Sequence, residues 1–494
     1  MSDTLFPFFN SNSDKVALVE GENKHTYSEV NDRINLFSSG ILGANEDLNE
    51  ERIAFFLPAS LDYVTAMHGV WRAGGIAVPL NVASAVSELD HYLTCAKVTR
   101  LIAGAEYHES LRELCKSLEI ELLSVSDVMA EEPGVLPLIN PERRAMMLFT
   151  SGTTNKPKGV VSTHQTICAQ ITTLITAWEW SEKDVIPLFL PLHHIHGIIN
   201  ILSCGLWTGA TVHLFSKFDI PEISKQITHG TYNVFMAVPT IYVKLIQYFE
   251  TIEKDEVEKI CAGFSAMRLN ISGSAACPVK LFEQWKELTG QILLERYGMT
   301  EIGMGISNPY NGERRAGAVG QPLPGVQCQL FDENDNVVER ESEPGEIRIK
   351  GDNVFLEYWE NEEATKSSFK DGWFCTGDVA VVEQGYYRIM GRSSVDIIKS
   401  GGYKLSALEI EGVLLTHDSI SEVAVIGVED DIWGEAVTAF VALKEGTALE
   451  FDSLKSWCEG RMSSYKIPKH LKLVDALPRN AMGKVTKPSL KELL

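Results

Sequence analysis

No run of about 18 uninterrupted apolar residues occurs, so no segment predicts a membrane-spanning helix and no membrane partner is expected. Cysteine is sparse: nine residues are scattered from Cys95 to Cys458, none in a Cys-x-x-Cys pair. That excludes the usual zinc and disulfide-framework spacings and predicts a reducing, cytoplasmic location. Positive charge is short, with 44 Lys and Arg against 67 Asp and Glu and a formal net charge of −23. Such a balance argues against nucleic acid as the main partner, because phosphate backbones select basic faces. Nucleotide phosphates stay open, since they need only a few local cations. The lead Met1-Ser2-Asp3-Thr4 has neither a basic region followed by an apolar core nor an Arg-rich amphipathic pattern. Neither a secretory signal nor a transit peptide is therefore expected. No internal repeat and no low-complexity tract is visible.

What is present is ordinary soluble material: 494 residues, 45% hydrophobic and 22% charged, long enough for roughly three domain-sized units. Thr26-x-x-Glu29 reads as a capping box opening a helix through about Leu42. Strand-like and helical patterns then alternate as far as Pro278–Leu288, which predicts parallel sheets with covered faces. From about Gly317 to Arg388, glycine, proline and short alternating strands predict a small β-rich subdomain. Helix and strand patterns resume after Gly391-Arg392, and about 100 residues remain, enough for a separate α+β unit. The expected fold is α/β: an N-terminal domain over 1–391 with two βα subdomains and a β-rich subdomain, and a small C-terminal lid over 392–494.

Within this frame one stretch stands out. The apolar run Ala145–Phe149 reads as a buried strand and leads into Thr150, Ser151, Gly152, Thr153, Thr154, Asn155, Lys156, Pro157, Lys158 and Gly159. Small and hydroxylated residues in succession leave amide hydrogens and hydroxyls free to surround an oxyanion, and two lysines add point charges. The spacing is not that of a Walker A loop. Four more segments carry polar residues that a plain fold does not need. They are Pro191-Leu192-His193-His194-Ile195-His196-Gly197, Arg296-Tyr297-Gly298-Met299-Thr300-Glu301, Trp373-Phe374-Cys375-Thr376-Gly377-Asp378 and Pro478-Arg479-Asn480-Ala481-Met482-Gly483-Lys484.

In order and spacing these five segments resemble the adenylate-forming superfamily of acyl-CoA synthetases, luciferases and peptide-synthetase adenylation domains. Met236–Tyr242, Ser272–Ala276 and Leu294–Met304 look nearest to the malonyl-CoA synthetase subfamily. The resemblance implies an acid–thiol ligase that uses ATP, Mg²⁺ and coenzyme A, with a short acid as the remaining partner. It implies that Thr150–Gly159 holds the β- and γ-phosphates, that Thr300 bonds the α-phosphate and that Glu301 holds Mg²⁺. Tyr297 is expected to stack on adenine beside the backbone of Ser274-Ala275, with Glu295 and Gly298 in the same nucleotide-contacting set. Asp378 is expected to accept the ribose hydroxyls with Arg392 assisting. Lys484 is expected to bridge carboxylate and α-phosphate during adenylation, and Gly401-Gly402 to approach the pantetheine arm when the lid turns. His194 is expected to gate the reacting carboxylate, His196 to line the acyl pocket, and Met304 with Ile302 to limit its size.

The choice of acid rests on Arg296. Relatives that take aromatic or long apolar acids carry a small residue before the Tyr-Gly pair; here a long cation stands there. A second substrate carboxylate closed into the site unpaired is costly, and a guanidinium can take it through two hydrogen bonds. Malonate is the expected acid and methylmalonate a side substrate. Oxalate, a short monocarboxylate, or a non-catalytic nucleotide-binding relative stay open, as does a structural pairing of Arg296 with Glu295. The lid pivot counts to Ser394, but Gly391-Arg392-Ser393-Ser394-Val395-Asp396 holds one residue more than the superfamily pattern before Gly401, so Asp396 competes.

Overall fold

The computed structural model describes residues 6–10, 13–150, 157–400, 403–430, 432–479 and 485–494. The chain falls into two compact units, Met1–Gln327 with Lys350–Gly372, and Cys328–Ile349 with Trp373–Leu494.

In the first unit the capping box forms as the sequence predicts. Thr26 Oγ1 accepts the Glu29 N–H at 3.2 Å, and Glu29 Oε2 accepts the Thr26 N–H at 2.8 Å. The helix Tyr27–Leu42 follows. Two otherwise unpaired amides are thus satisfied by each other's side chains. Ser60 Oγ caps Leu61–Arg72 by accepting the Tyr63 N–H at 3.2 Å. The strand Arg144–Thr150 lies in a seven-stranded sheet ordered Glu357–Tyr358, Lys158–Thr163, Arg144–Thr150, Ile76–Pro79, Arg52–Phe56, Arg100–Ala103, Glu121–Leu123. From Arg144–Thr150 to Glu121–Leu123 all neighbours run parallel. Ala145, Met146, Met147 and Leu148 are all buried, as an unbroken apolar run must be in a strand covered on both faces.

A second sheet carries most of the polar motifs. Its order is Val234–Ala237, Leu269–Ser272, Leu294–Met299, Gly303–Ser307, Gln321–Pro322. The first three strands are parallel and the last two join antiparallel. A third sheet of four strands includes Val185–Leu188. Arg268 ties the strand starts together: its Nε and Nη2 each lie 2.7 Å from the carboxylate of Asp184, whose side chain is 1% exposed. Removing one member leaves the other charge uncompensated. Arg268→Ala is therefore expected to cost about 3 kcal/mol, read as a lowered denaturation midpoint with the Asp184 backbone contacts intact.

In the second unit, Gly345–Lys350 pairs antiparallel with Trp373–Glu383, which pairs antiparallel with Tyr386–Arg392. Beyond Arg392 the strand Gly434–Leu443 pairs with Ile420–Asp430, Ile397–Ser400 and His470–Leu473. The helices Ala407–Leu414 and Phe451–Cys458 share one core with this sheet, through Ile410, Leu414, Leu454, Val425 and Val441. The C-terminal α+β pattern read from the sequence has a core of its own.

Candidate active site

The phosphate-loop segment begins and ends on a paired hairpin. Thr150 stands opposite Lys158 and Phe149 opposite Gly159, so both ends are held by the sheet. Lys158 Nζ lies 4.8 Å from the centre of the Tyr358 ring. The carbonyl of Pro157 meets His91 Nε2 at 3.2 Å. Ser151, Gly152, Thr153, Thr154, Asn155 and Lys156 lie outside the described residues.

The Arg296–Glu301 segment is itself strand and turn, rather than a loop after a strand. Leu294–Met299 places Glu295 opposite Ser272 on one side and Arg296 opposite Ser307 on the other. A bulge falls between Tyr297 and Gly298. Gly298 has no room for a side chain, since a Cβ there would sit 2.1 Å from the Gly303 carbonyl oxygen. Thr300 and Glu301 occupy the turn into Gly303–Ser307. Glu301 is 5% exposed, and its Oε1 accepts the Tyr358 hydroxyl at 2.9 Å. The Phe355 N–H holds its backbone carbonyl at 2.7 Å. Ile302 and Met304 beside it are buried.

Arg296 is 3% exposed. Its guanidinium covers Gly273, where a Cβ would lie 2.5 Å from Nε. Nη2 donates a long 3.4 Å hydrogen bond to Ser274 Oγ, and Nε has no partner. Successive strand residues point to opposite faces, so Glu295 turns away. Its Oε1 accepts the Cys277 N–H at 2.9 Å instead, while Oε2 stays unpartnered. Burial lowers the Arg296 pKa to about 9, with only partial support from Glu295. Burial likewise raises Glu295 to about 7, opposed first by the Cys277 amide and then by Arg296. Both shifts have the sign of charges short of partners.

The Glu295 shift has a consequence for stability. Below about pH 4.5 the carboxyl is protonated folded and unfolded alike, and no charge is buried. As pH rises the unfolded chain ionises first, so stability is lost progressively until about pH 7 and is level above. Glu295→Gln is expected to remove that slope, changing the wild-type-to-variant stability difference by about 3 kcal/mol across the window. Denaturation midpoints at several pH values test this.

Ser274 adopts φ +66° and, with Ala275, is exposed, yet its hydroxyl reaches inward to His196 Nδ1 at 3.1 Å. His196 is 4% exposed, with Nε2 unpartnered. Burial, then the charges of Arg296 and His194, push its pKa well below the usual value. His196 opens a π-helix, His196–Ser203, that precedes the helix Cys204–Thr208. The rings of His193 and His194 lie 4.0 Å apart. The structure thus gathers Arg296, His196 and Ser274 into one cluster. The structure also contains buried polar side chains that the sequence did not single out: Asn200 and Ser203 have side-chain polar atoms without a hydrogen-bond partner. For Asn200 the visible signal was a lone amide inside Ile198-Ile199-Asn200-Ile201-Leu202.

In the second unit Asp378 stands opposite Arg392. Arg392 Nε lies 2.8 Å from Asp378 Oδ1, and its Nη1 donates to the Thr376 carbonyl at 3.1 Å. Gly377, at φ +72°, lies within the strand Trp373–Glu383 in a backbone conformation that favours glycine. The Asp396 carboxylate accepts the Arg392 N–H at 2.9 Å through Oδ2, and Lys487 Nζ lies 2.5 Å from Oδ1. Lys487 also contacts Glu411 at 2.7 Å. Arg479 and Val485 form a β-bridge. Gly401, Gly402 and Lys484 lie outside the described residues.

Fold and motif order together define an enzyme of the AMP-forming acid–thiol ligase class. The family model described as AMP-binding enzyme matches residues 8–359, and that of the AMP-binding enzyme C-terminal domain matches residues 409–484. The chain belongs to this AMP-binding enzyme family. The Homo sapiens protein named malonate–CoA ligase ACSF3, mitochondrial, is 42% identical over 536 residues, covering 99% of this chain and 92% of that protein. The crystal structure of ATP-bound MatB from Rhodopseudomonas palustris is 31% identical, with TM-score 0.89, covering 100% of this chain and 99% of that one. The o-succinylbenzoate CoA synthetase of Bacillus subtilis, in complex with its acyl-adenylate intermediate, is 25% identical with TM-score 0.85, and 98% of each chain is covered. Among the described residues no helix is long and apolar enough to cross a membrane.

Proposed function

We propose that this chain is a malonyl-CoA synthetase that also accepts methylmalonate. The observation that carries the reading is the Arg296 guanidinium, 3% exposed with an unpartnered Nε. A buried cation without a carboxylate of its own is costly, and a substrate that brings the missing anion relieves that cost. The adjacent Glu295 does not serve, because its carboxylate is engaged by the Cys277 amide. The human relative's printed name, malonate–CoA ligase, agrees with this reading.

The reaction runs in two displacements. A malonate oxygen attacks the α-phosphorus of ATP, and pyrophosphate leaves with the electrons of the broken P–O bond. The coenzyme A thiol, once deprotonated, attacks the acyl carbon of the mixed anhydride, and AMP departs. Both steps bring anions together, so fixed cations and aligned amide hydrogens are the main catalytic resource.

The residues divide accordingly. Thr150–Lys158 surrounds the β- and γ-phosphates, and Thr300 donates to the α-phosphate. Tyr297 packs on the adenine, with Glu295, Gly298, Ser274 and Ala275 around it. Asp378, oriented by Arg392 at 2.8 Å, takes the ribose hydroxyls. The chemistry of the donor set at Glu301, a nearly buried carboxylate steadied by Tyr358, fits a hard divalent cation, and Glu301 would hold Mg²⁺. When bound, that ion offsets phosphate charge. His194 gates the reacting carboxylate, while His196 and Met304 shape the acyl pocket.

We place the adenylation domain over 1–391 and the moving lid over 392–494. Of the two pivot candidates we favour Ser394. It is exposed, whereas Asp396 is 8% exposed and fastened to Arg392 and Lys487. Rotation there takes Lys484 out and brings Gly401-Gly402 in for the thiol step. The unpaired cysteines support a reducing compartment, and we place the enzyme in the cytoplasm. Pyrophosphate release across malonate, methylmalonate, succinate, oxalate and acetate tests the function. Malonate should give the highest kcat/KM; acetate equal to malonate would overturn the reading.

A further inference from the structure

Asn200 is 1% exposed, and neither its Oδ1 nor its Nδ2 has a hydrogen-bond partner. An amide side chain offers two donors and two lone pairs, so a leucine would suit an apolar setting better. Buried polar groups are nearly always satisfied, and an orphan requires a reason. Its setting supplies one. The coil His196–Ser203 is a π-helix, a rare form that recurs at functional sites. With i→i+5 hydrogen bonding, residue 200 falls close to one turn beyond residue 196, on the face that carries His196 toward Ser274 and Arg296.

Arg296 only donates, so Ser274 Oγ accepts from it at 3.4 Å. Ser274 Oγ and His196 Nδ1 share one hydrogen at 3.1 Å, and which of them donates follows from the imidazole tautomer. Arg296 Nε–H and the Asn200 amide hydrogens are donors without acceptors, and His196 Nε2 is unpartnered in either tautomer. Unmet donors on a buried cation and on the helix face turned to it fit an anion with several lone pairs, and a carboxylate has about four acceptor sites.

We propose that Asn200 is a specificity-determining residue for the acid, donating from Nδ2 to the distal carboxylate that Arg296 holds. This rests on the diacid reading above and deepens it: the site recognises the second carboxylate by charge and by a neutral amide at its edge. A monocarboxylate leaves both unmet.

The test measures kcat/KM for malonate and for propionate by pyrophosphate release, in wild type, Asn200→Leu and Asn200→Asp. Loss of a hydrogen bond to a charged group predicts an about 10–100-fold fall in the malonate-to-propionate ratio for Asn200→Leu, mainly through KM. Asn200→Asp, similar in size but anionic, should lower the ratio further. A wild type that prefers malonate while the ratio is unchanged in both variants overturns the role of Asn200 alone. Equal loss on both acids in both variants overturns it too. A wild type that does not use malonate defeats the diacid reading itself, and that failure is distinct from the other two.

Discussion

Arg296→Ala is expected to lower kcat/KM for malonate by about 10²–10³-fold while leaving appreciable activity with propionate. The size follows from breaking a desolvated, hydrogen-bonded charge pair, which costs about 3–4 kcal/mol and leaves the substrate carboxylate buried and unpaired. The sparing of propionate follows because that acid brings no second charge. The fold should tolerate the change: Arg296 makes one long side-chain hydrogen bond, to Ser274, and its Nε already lacks a partner. Removal of a buried cation that gains only partial support from Glu295 should raise the melting temperature of the free protein or leave it unchanged. Steady-state kinetics on the two acids with a melting curve on the same sample check both parts. Equal loss on both acids would remove the specificity argument.

Lys484→Ala is expected to separate the two half-reactions. Formation of malonyl-adenylate from malonate and ATP should slow by about 10²–10³-fold, the cost of losing one electrostatic contact to developing transition-state charge. Conversion of preformed malonyl-adenylate with coenzyme A should keep most of its rate if, as proposed, the lid turns between the two steps. Rapid-quench measurement of each half-reaction decides. Equal slowing of both would contradict the rotation and place Lys484 in a single fixed site.

Local signals in the sequence were legible because their physics is local. Thr26 and Glu29 lie three residues apart, and the reciprocal cap needs nothing else. The buried run Ala145–Leu148 announced a covered strand. Arg296 was readable as an unusual cation, but its environment was not. That depends on Gly273 lying under the guanidinium and on Cys277 engaging Glu295, contacts made by neighbouring strands. The same limit hid Lys487 against Asp396, which are 91 residues apart in the chain. The wider coil at His196–Ser203 has no sequence period to reveal it, so the orphaned amide of Asn200 could not be read from its neighbours in the chain.

Arg296 is proposed to receive the second carboxylate of the acid, and a crystal structure with malonyl-adenylate bound decides this. The distal carboxylate is expected within hydrogen-bond distance of the Arg296 guanidinium, beside His196 and Asn200. A distal carboxylate facing solvent, with Arg296 still covering Gly273 and its Nε still unpartnered, would remove Arg296 from acid recognition.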